Sequence, residues 1–445
     1  MGGGEAGETY QLLRSFLRAN SKAPRDLAYH LVQEHPATSW KVGRMYQVIR
    51  HELGFACYKD VQHRLLMRKS DLHLVSSDMQ NCVSTVGPPG SYFGPVDLSV
   101  VQRFCGRMQD LLIKVQTSGS KILVYCVHDS PQARTNAAFL LGAFLILNRG
   151  SSALEAAMPF DCIRPYPLLS FRDASTKASE RGERGERGER GERATLTLLD
   201  VLSALARGKA LGWFNLATFN ASEYLDWGSP EGGLLHVISP KLVSFRSPSD
   251  TPCFISFGVT SIAPAAYAPK LLECGASCVV SLGAPFEYSP EDFASFGLSH
   301  YSLDWPPGVL LTDEMVRRFL AICDEEPGAV ALHDEPGLER MGILMANFLV
   351  SRNGFSPDEA VAWIRLVRPG SILAEQHEAL RAFSKTSEDS SLRSVPPKRW
   401  GGVDISDGGG SHPAFLRTRS CDAAGTEIMH TSSGGSGGSA GSRTD

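Results

Sequence analysis

The chain has 445 residues, which is enough for two or three domains that each bury their own core. With 42% hydrophobic and 21% charged residues it has the composition of an ordinary globular protein. A net charge of −4 gives no electrostatic reason to expect nucleic acid or a membrane surface as a partner, and no apolar run reaches the length of a bilayer span. The ten cysteines are scattered singly with no CxxC pair, which suggests neither a zinc site nor a disulfide framework and indicates the buried thiols of an intracellular protein. The N-terminus lacks a secretory signal pattern, and we expect no metal and no cofactor.

The two ends of the chain differ from its middle. Two amphipathic stretches, at 10–19 and 41–53, are separated by two prolines and predict a helical N-terminal extension over residues 1–80. After residue 384 the chain becomes rich in Ser and Gly, which predicts a disordered tail over 385–445. A Gly-Glu-Arg triplet run lies within 176–194 and predicts a solvated low-complexity insertion in a loop.

One order of elements occurs twice between these ends. In the first copy, helical spacing at 100–111 is followed by an apolar strand at 122–127, the loop HDSPQAR and a helix at 136–147. In the second copy, Thr312 is the predicted N-cap of a helix, which is followed by a strand at 329–332 and the loop HDEPGLER. Helices at 341–351 and 357–367 complete this copy. Both loops begin with His-Asp. This repetition predicts a duplicated α/β domain, since solenoid repeats are far shorter.

The second loop has the spacing of a phosphate-binding loop. A strand that opens through a loop into a helix favours an anion, because loop N–H groups and the helix N-terminus both attract negative charge. In cysteine-dependent phosphatases the loop reads His-Cys, five residues and Arg, where the thiolate attacks phosphorus and the guanidinium binds two phosphate oxygens. Here the loop reads H-D-E-P-G-L-E-R-M-G from His333. The spacing to Arg340 is intact, but Asp334 stands in place of the cysteine.

Several stretches carry a specific resemblance: FGPVDLSVVQRFC, RTNAAFLLGAF, FRDAS, TLLDVL, FNASEY and AWIRLVRPGSIL. From residue 93 to residue 383 the chain resembles the cell-division-cycle dual-specificity phosphatases that reverse cyclin-dependent-kinase phosphorylation at mitotic exit. The resemblance implies an α/β fold of two tandem phosphatase-like domains, each a central sheet flanked by helices. It also implies an ancestral substrate of phosphoserine before proline, with phosphotyrosine accepted. The expected boundaries are a non-catalytic first domain at 81–215, a linker at 216–240 and the second phosphatase-like domain at 241–384.

Transferred residue by residue, several family roles fall on side chains that cannot perform them. The nucleophile position is Asp334, the third glycine of the loop is Glu339, and the hydroxyl after the arginine is Met341. The general acid falls on Pro307-Gly308, and the nearby carboxylate of Asp304 is offset by three positions. Glu335, Pro336 and Leu338 fill the rest of the loop. The positions that keep their family character are His333, Gly337, Arg340, Gly342 and Gln376.

An aspartate can itself accept a phosphoryl group, so a residually active phosphatase is the alternative interpretation. Enzymes that form an aspartyl phosphate normally hold Mg²⁺ with neighbouring acids. Pro336 stands where a second aspartate would be, and Glu335 and Glu339 show no ligand spacing.

Electrostatics instead favours an inactive protein. An aspartate among loop N–H groups and beside Arg340 is expected to be ionised. At about 4 Å and an effective dielectric near 20, two like unit charges repel by about 4 kcal/mol, roughly a thousandfold in affinity. We therefore predict that Asp334 is an internal phosphate mimic paired to Arg340. The protein is predicted to be a pseudophosphatase that acts as a binding or scaffold protein in cell-cycle or cytoskeletal regulation.

The expected partners are proteins, including Ser-Pro-containing cell-cycle or cytoskeletal proteins and a second copy of the chain as a homodimer. The family has an acidic groove between its domains, and the candidates for it here are Glu223, Asp226 and Glu231. The resemblance implies nucleus or cytoplasm, with spindle poles or basal bodies as specific places. In the first domain, His128, Asp129 and Arg134 head a shorter loop, for which a structural role is expected.

Overall fold

The computed structural model describes most of the duplicated region. The described residues are 42–60, 72–76, 93–119, 122–160, 168–172, 195–251, 254–256, 259–283, 288–303, 305, 311–334 and 339–388. The predicted helix at 10–19, the Gly-Glu-Arg run and the predicted tail from 389 onward lie outside these residues.

The first unit is a four-stranded sheet covered by helices. Its strands follow the order β1-β2-β4-β3, in which β1 and β2 are antiparallel and the other pairs are parallel. Its elements are β1 (Tyr46–Ile49), β2 (Leu53–Tyr58), β3 (Leu72–Val75), α1 (Leu98–Thr117), β4 (Ile122–His128), α2 (Pro131–Arg149), α3 (Ala153–Ala157) and α4 (Leu198–Ala210).

The second unit begins with α5 (Ala221–Gly228) and contains a five-stranded sheet of order β10-β9-β11-β6-β5, with a separate two-stranded ribbon β7-β8. Its strands are β5 (His236–Ser239), β6 (Leu242–Arg246), β7 (Phe254–Ser256), β8 (Val259–Thr260), β9 (Ala276–Ser281), β10 (Ser299–Ser302) and β11 (Ala329–Asp334). Its remaining helices are α6 (Pro264–Glu273), α7 (Pro290–Ala294), α8 (Asp313–Glu325), α9 (Glu339–Asn353), α10 (Pro357–Val367) and α11 (Ala374–Glu388).

The two sheets share one topology, which confirms the predicted tandem α/β architecture. In each unit an antiparallel hairpin, β1-β2 or β5-β6, pairs in parallel with a central strand, β4 or β11. The strand on the other side of the centre is also parallel. Each central strand is followed within five residues by a long helix, α2 after β4 and α9 after β11. The predicted helices and strands around both loops are present, and Thr312 caps α8 by accepting the N–H of Met315 at 3.3 Å.

The helix predicted over 41–53 is wrong, because this stretch contains β1 and the start of β2. Buried Tyr46 and Val48 alternate with more exposed neighbours, as a strand requires. The sequence pattern also fits a helical period, and antiparallel pairing of β1 with β2, which itself pairs with β4, decides the outcome. The first sheet therefore takes three strands from the predicted extension. Likewise, β5 consists of four residues of the predicted linker and belongs to the second sheet.

The two units share one continuous hydrophobic core, and α4 of the first unit packs against α10 of the second. Trp213 stacks on Phe355, with ring centroids 5.5 Å apart, and lies 5.7 Å from Trp363. The indole N–H of Trp363 donates to the carbonyl of Ile238 at 2.8 Å, so this buried polar group is satisfied. Close packing at this interface fixes the second sheet relative to the first.

Gly208 is the tightest point of this interface. A Cβ atom at Gly208 would lie 2.1 Å from Cζ3 of Trp363, whereas a Cβ atom at Gly106 on α1 would have no heavy atom within 4 Å. We expect Gly208→Ala to lower the free energy of unfolding by about 1–3 kcal/mol through overpacking. The matched control Gly106→Ala should raise it by about 0.5–1 kcal/mol, because alanine favours a helix interior. Urea denaturation measures both. Equal stability of the two variants would contradict the interface.

Candidate functional site

The candidate site lies at the carboxyl end of β11, the central strand of the second sheet. All six residues of β11 are buried, because it is flanked by β9 and β6 and covered on both faces. The strand ends at Asp334, whose neighbour in the parallel ladder is Arg246 on β6. Residues 335–338, outside the described ranges, connect β11 to α9, which begins at Glu339. This is the strand–loop–helix arrangement in which anions bind.

Asp334 forms a bidentate ion pair with Arg340, as the sequence predicts. Nε of Arg340 donates to Oδ2 of Asp334 at 2.8 Å, and Nη2 donates to Oδ1. The Asp334 side chain is 1% exposed and that of Arg340 is 14% exposed. Nη1 of Arg340 donates to the carbonyl of Trp305. All three guanidinium nitrogens are therefore engaged inside the protein, two of them with the fork geometry that Arg presents to carboxylate or phosphate.

A second arginine, missed by the sequence analysis, interacts electrostatically with Asp334. Arg368 is 2% exposed, and its three guanidinium nitrogens have no hydrogen-bond partner among the residues that the structure describes. Burial lowers the pKa of Arg368 to about 9; the negative charge of Asp334 opposes this shift, and Arg246 adds to it. The negative charge of Asp334 therefore acts on two arginines, Arg340 and Arg368. No motif in the sequence marks Arg368, since its role depends on which side chains surround it.

His333 is held by side chains that are distant in sequence. Its Nδ1 lies 3.0 Å from Oγ of Ser247, and its Nε2 lies 2.6 Å from the hydroxyl of Tyr288. That hydroxyl also lies 2.7 Å from Nε2 of His300. Burial lowers the pKa of His333 to about 3, with His300 contributing, so this imidazole is neutral at physiological pH.

The other predicted loop positions have mixed outcomes. Asp304 and residues 335–338 lie outside the described residues, as does the side chain of Glu339, although Glu339 begins α9. Met341 is buried in the core. A Cβ atom at Gly342 would lie 2.7 Å from Cγ1 of Ile372, so glycine is required there for close packing. The side chain of Gln376 accepts the N–H of Leu373 at 3.0 Å and thus helps to cap α11.

The first unit has the same type of pair. Asp129, just after β4, forms an ion pair with Arg134 in the first turns of α2, and the side chain of Arg134 is 5% exposed. Ser130 caps α2 by accepting the N–H of Ala133 at 3.2 Å. In both units, then, an aspartate at the end of the central strand pairs with an arginine of the following helix.

The three acidic groove candidates lie on and after α5. Glu223 forms an ion pair with Lys270 of α6. The ammonium of Lys270 is also 3.1 Å from Oε2 of Glu273 and 5.2 Å from the ring centre of Trp227. Burial lowers the pKa of Lys270, but Glu223 and Glu273 outweigh this effect and raise it. The negative charge of Glu223 is therefore balanced by Lys270. Asp226 and Glu231 are exposed.

Within the described ranges, no group of three or more His, Cys, Asp or Glu side chains could hold a metal ion. No helix in the part of the chain that the structure describes is long and apolar enough to cross a membrane.

The sheet topology and the loop at Asp334 define a protein of the dual-specificity-phosphatase fold class. Residues 47–181 match the family described as "Dual specificity protein phosphatase, N-terminal half". This match starts inside β1 and agrees with a first unit that begins well before residue 81.

Curated relatives extend the similarity into the second unit. The chain is 33% identical over 290 residues to "Dual specificity protein phosphatase CDC14A" of Mus musculus, a match that covers 65% of this chain and 45% of that protein. The protein of the same name from Homo sapiens is 34% identical over 289 residues, with 65% and 46% covered. "Tyrosine-protein phosphatase cdc-14" of Caenorhabditis elegans is 29% identical over 293 residues, with 65% and 39% covered. The chain thus matches less than half the length of each of these relatives. The predicted resemblance is confirmed.

Buried neutral histidines should make the fold sensitive to acid. Burial, with Arg368 contributing, lowers the pKa of His236 to about 3, as burial does for His333. Below the ordinary pKa of 6.5 the unfolded chain binds protons that the folded chain does not, so stability falls as pH decreases. We expect a loss of about 2 kcal/mol per histidine between pH 7 and pH 5.

Urea denaturation at several pH values measures this loss. His236→Gln should reduce, by one bound proton, the slope with which the free energy of unfolding depends on pH. An identical pH dependence in the wild type and in His236→Gln would show that His236 is not buried in its neutral form.

Proposed function

We propose that this protein is a catalytically inactive dual-specificity phosphatase of the CDC14 type that binds other proteins. The observation that supports the proposal is the bidentate ion pair between Asp334 and Arg340. It joins the residue at the nucleophile position to the residue that would bind the phosphoryl group. A thiolate nucleophile is absent from this position, and the guanidinium is already bound to a carboxylate.

The same pair opposes phosphate binding. An incoming phosphoryl group would meet the buried negative charge of Asp334 at close range, where like unit charges repel by several kcal/mol. It would also have to displace a carboxylate from Arg340 in a buried setting, and breaking such a pair is costly. In this proposal the carboxylate of Asp334 takes the place of the phosphate, and its ion pair with Arg340 links β11 to α9.

A protein-binding role is consistent with the surface of α5. The three relatives described above are named as protein phosphatases, so protein partners are the class that we propose for this chain. Asp226 and Glu231 are exposed beside Leu225, which is 45% exposed. We propose that unphosphorylated Ser-Pro-containing cell-cycle or cytoskeletal proteins, or a second copy of the chain, bind here. The proposed compartments are the nucleus or cytoplasm, including spindle poles and basal bodies.

Removing the carboxylate should open the site. We expect wild type to bind neither tungstate nor sulfate, because Asp334 occupies the oxyanion position, whereas Asp334→Ala should bind tungstate through Arg340. Isothermal titration calorimetry measures both affinities. The double variant Asp334→Ala/Arg340→Met should lose the acquired binding. Binding of tungstate to wild type at micromolar concentration would contradict the proposal.

Asp334→Cys is the matched variant for catalysis. It restores the thiol but not the general acid or the hydroxyl after the arginine, since these positions are Pro307-Gly308 and Met341. We expect it to gain oxyanion binding without useful hydrolysis of p-nitrophenyl phosphate. Robust turnover by Asp334→Cys would show that the nucleophile is the one essential loss and that the remaining machinery is intact.

A further inference from the structure

The helix α6 is apolar on both of its faces. Its inner face, which includes Tyr267 and Leu271, belongs to the core of the second unit. Its outer face is exposed and consists of Ala265, Ala266, Pro269 and Leu272. A surface helix normally has polar and charged residues on the side that faces water. The outer face of α6 therefore has the composition of a buried surface.

The helix α8 of the same unit has an ordinary outer face. Its exposed residues include Asp313, Glu314, Arg317 and Arg318. On α6, Lys270 is half-buried and forms an ion pair with Glu223 of α5, and the exposed charge is that of Glu273 at the C-terminal end. The middle of the outer face of α6 is thus free of exposed charge, which favours contact with another apolar surface.

The side chains of this face differ in size from one end of α6 to the other. Ala265 and Ala266 lie in the first turn, Leu272 lies in the last turn, and Pro269 lies between them. Leu272 and Ala266 are equally distant from Pro269 in sequence. A two-fold axis at Pro269 that relates two antiparallel copies of α6 would therefore place Leu272 of each copy against Ala266 of the other. Each large side chain then meets a small one, as close packing requires.

The two ends of α6 are also complementary in charge. The N-cap residue is Ala263, so no side chain caps this helix, and the N–H of Ala265 has no acceptor among the residues that the structure describes. An uncapped N-terminus carries partial positive charge. At the other end, the side chain of Glu273 is 69% exposed. Glu273 and Ala265 are equally distant from Pro269 in sequence, so the same axis brings the carboxylate of each copy to the uncapped N-terminus of the other.

We propose that the outer face of α6 is an interface between two copies of this chain, in which the two α6 helices pack antiparallel about a two-fold axis at Pro269. A second copy is the partner that the face fits, because one axis satisfies both the match in size and the match in charge. The interface rests on the protein-binding role proposed above and specifies it. Its location is next to the surface of α5, to which α6 is joined by the ion pair between Lys270 and Glu223.

The size of the interface sets the strength of the dimer. The helix α6 has 10 residues and is therefore about 15 Å long. Two such helices bury less than the roughly 1,200–2,000 Å² of a standard stable interface. We therefore expect a reversible dimer with a Kd on the order of 10–100 μM.

Sedimentation equilibrium of the full chain, at concentrations from about 1 to about 200 μM, measures this Kd. Leu272→Glu should raise the Kd at least about tenfold, because it places a carboxylate in the apolar part of the interface. Leu199→Glu is the matched control, since Leu199 is an exposed leucine of α4, and it should leave the Kd unchanged. Leu272 is 43% exposed in the single chain, so its variant should fold as the wild type does.

An exchange of the large and the small side chain tests the antiparallel arrangement. Ala266→Leu brings two leucines together and Leu272→Ala leaves a gap, so each single variant should raise the Kd. The double variant Ala266→Leu/Leu272→Ala should restore the Kd of wild type, because each leucine again meets an alanine.

A wild-type chain that remains monomeric at about 200 μM would overturn the proposal, and this result needs no variant. A dimer whose Kd is unchanged in Leu272→Glu would overturn it as well, because the interface would then lie elsewhere. A double variant that associates no better than the single variants would contradict the antiparallel arrangement. The binding of tungstate to the Asp334 variants is independent of these results, so a failure of this interface is distinguishable from a failure of the proposed inactive site.

Discussion

The ion pair between Asp334 and Arg340 is the interaction on which the candidate site depends. Both groups are largely removed from water, and such a pair stabilises a fold only when its geometry is good and its remaining hydrogen-bonding groups are satisfied. Here two parallel hydrogen bonds join the groups, and the third guanidinium nitrogen bonds to Trp305. The negative charge of Asp334 also acts on buried Arg368. A carboxylate at the end of β11 thus binds Arg340, and this supports the proposal that Asp334 replaces an anionic ligand.

The first unit contains an equivalent ion pair. Asp129 and Arg134 occupy the corresponding junction between β4 and α2, and they too form an ion pair. The two sheets have the same hairpin, central strand and parallel neighbour, so equivalent places in a duplicated fold carry equivalent pairs. On α5, Glu223 is likewise bound by Lys270 of the same chain. Charged groups suited to ligands are, at these three places, bound by partners within the protein.

The sequence predicts those parts of the fold in which local pattern and tertiary contacts agree. The helix from 357 to 367 has Ser356 as its cap and an apolar face that enters the core, and its predicted bounds match the structure. The helix predicted at 41–53 is wrong because the apolar spacing of this stretch suits two periods, and only pairing of β1 with β2 selects the strand. The Asp334–Arg340 pair follows from spacing within one loop. Arg368, Tyr288 and His300 could not be predicted, since tertiary folding alone brings them to β11.

We propose that the carboxylate of Asp334 replaces the phosphoryl group instead of accepting one. Rapid-quench measurement with a peptide carrying radiolabelled phosphate on serine before proline, and with a phosphotyrosine peptide, tests it most directly. We expect the unaltered protein to show neither a labelled phosphoenzyme nor release of inorganic phosphate above the rate of a heat-inactivated sample. A labelled intermediate that is lost in Asp334→Asn would contradict it, because Asp334 would then be a nucleophile.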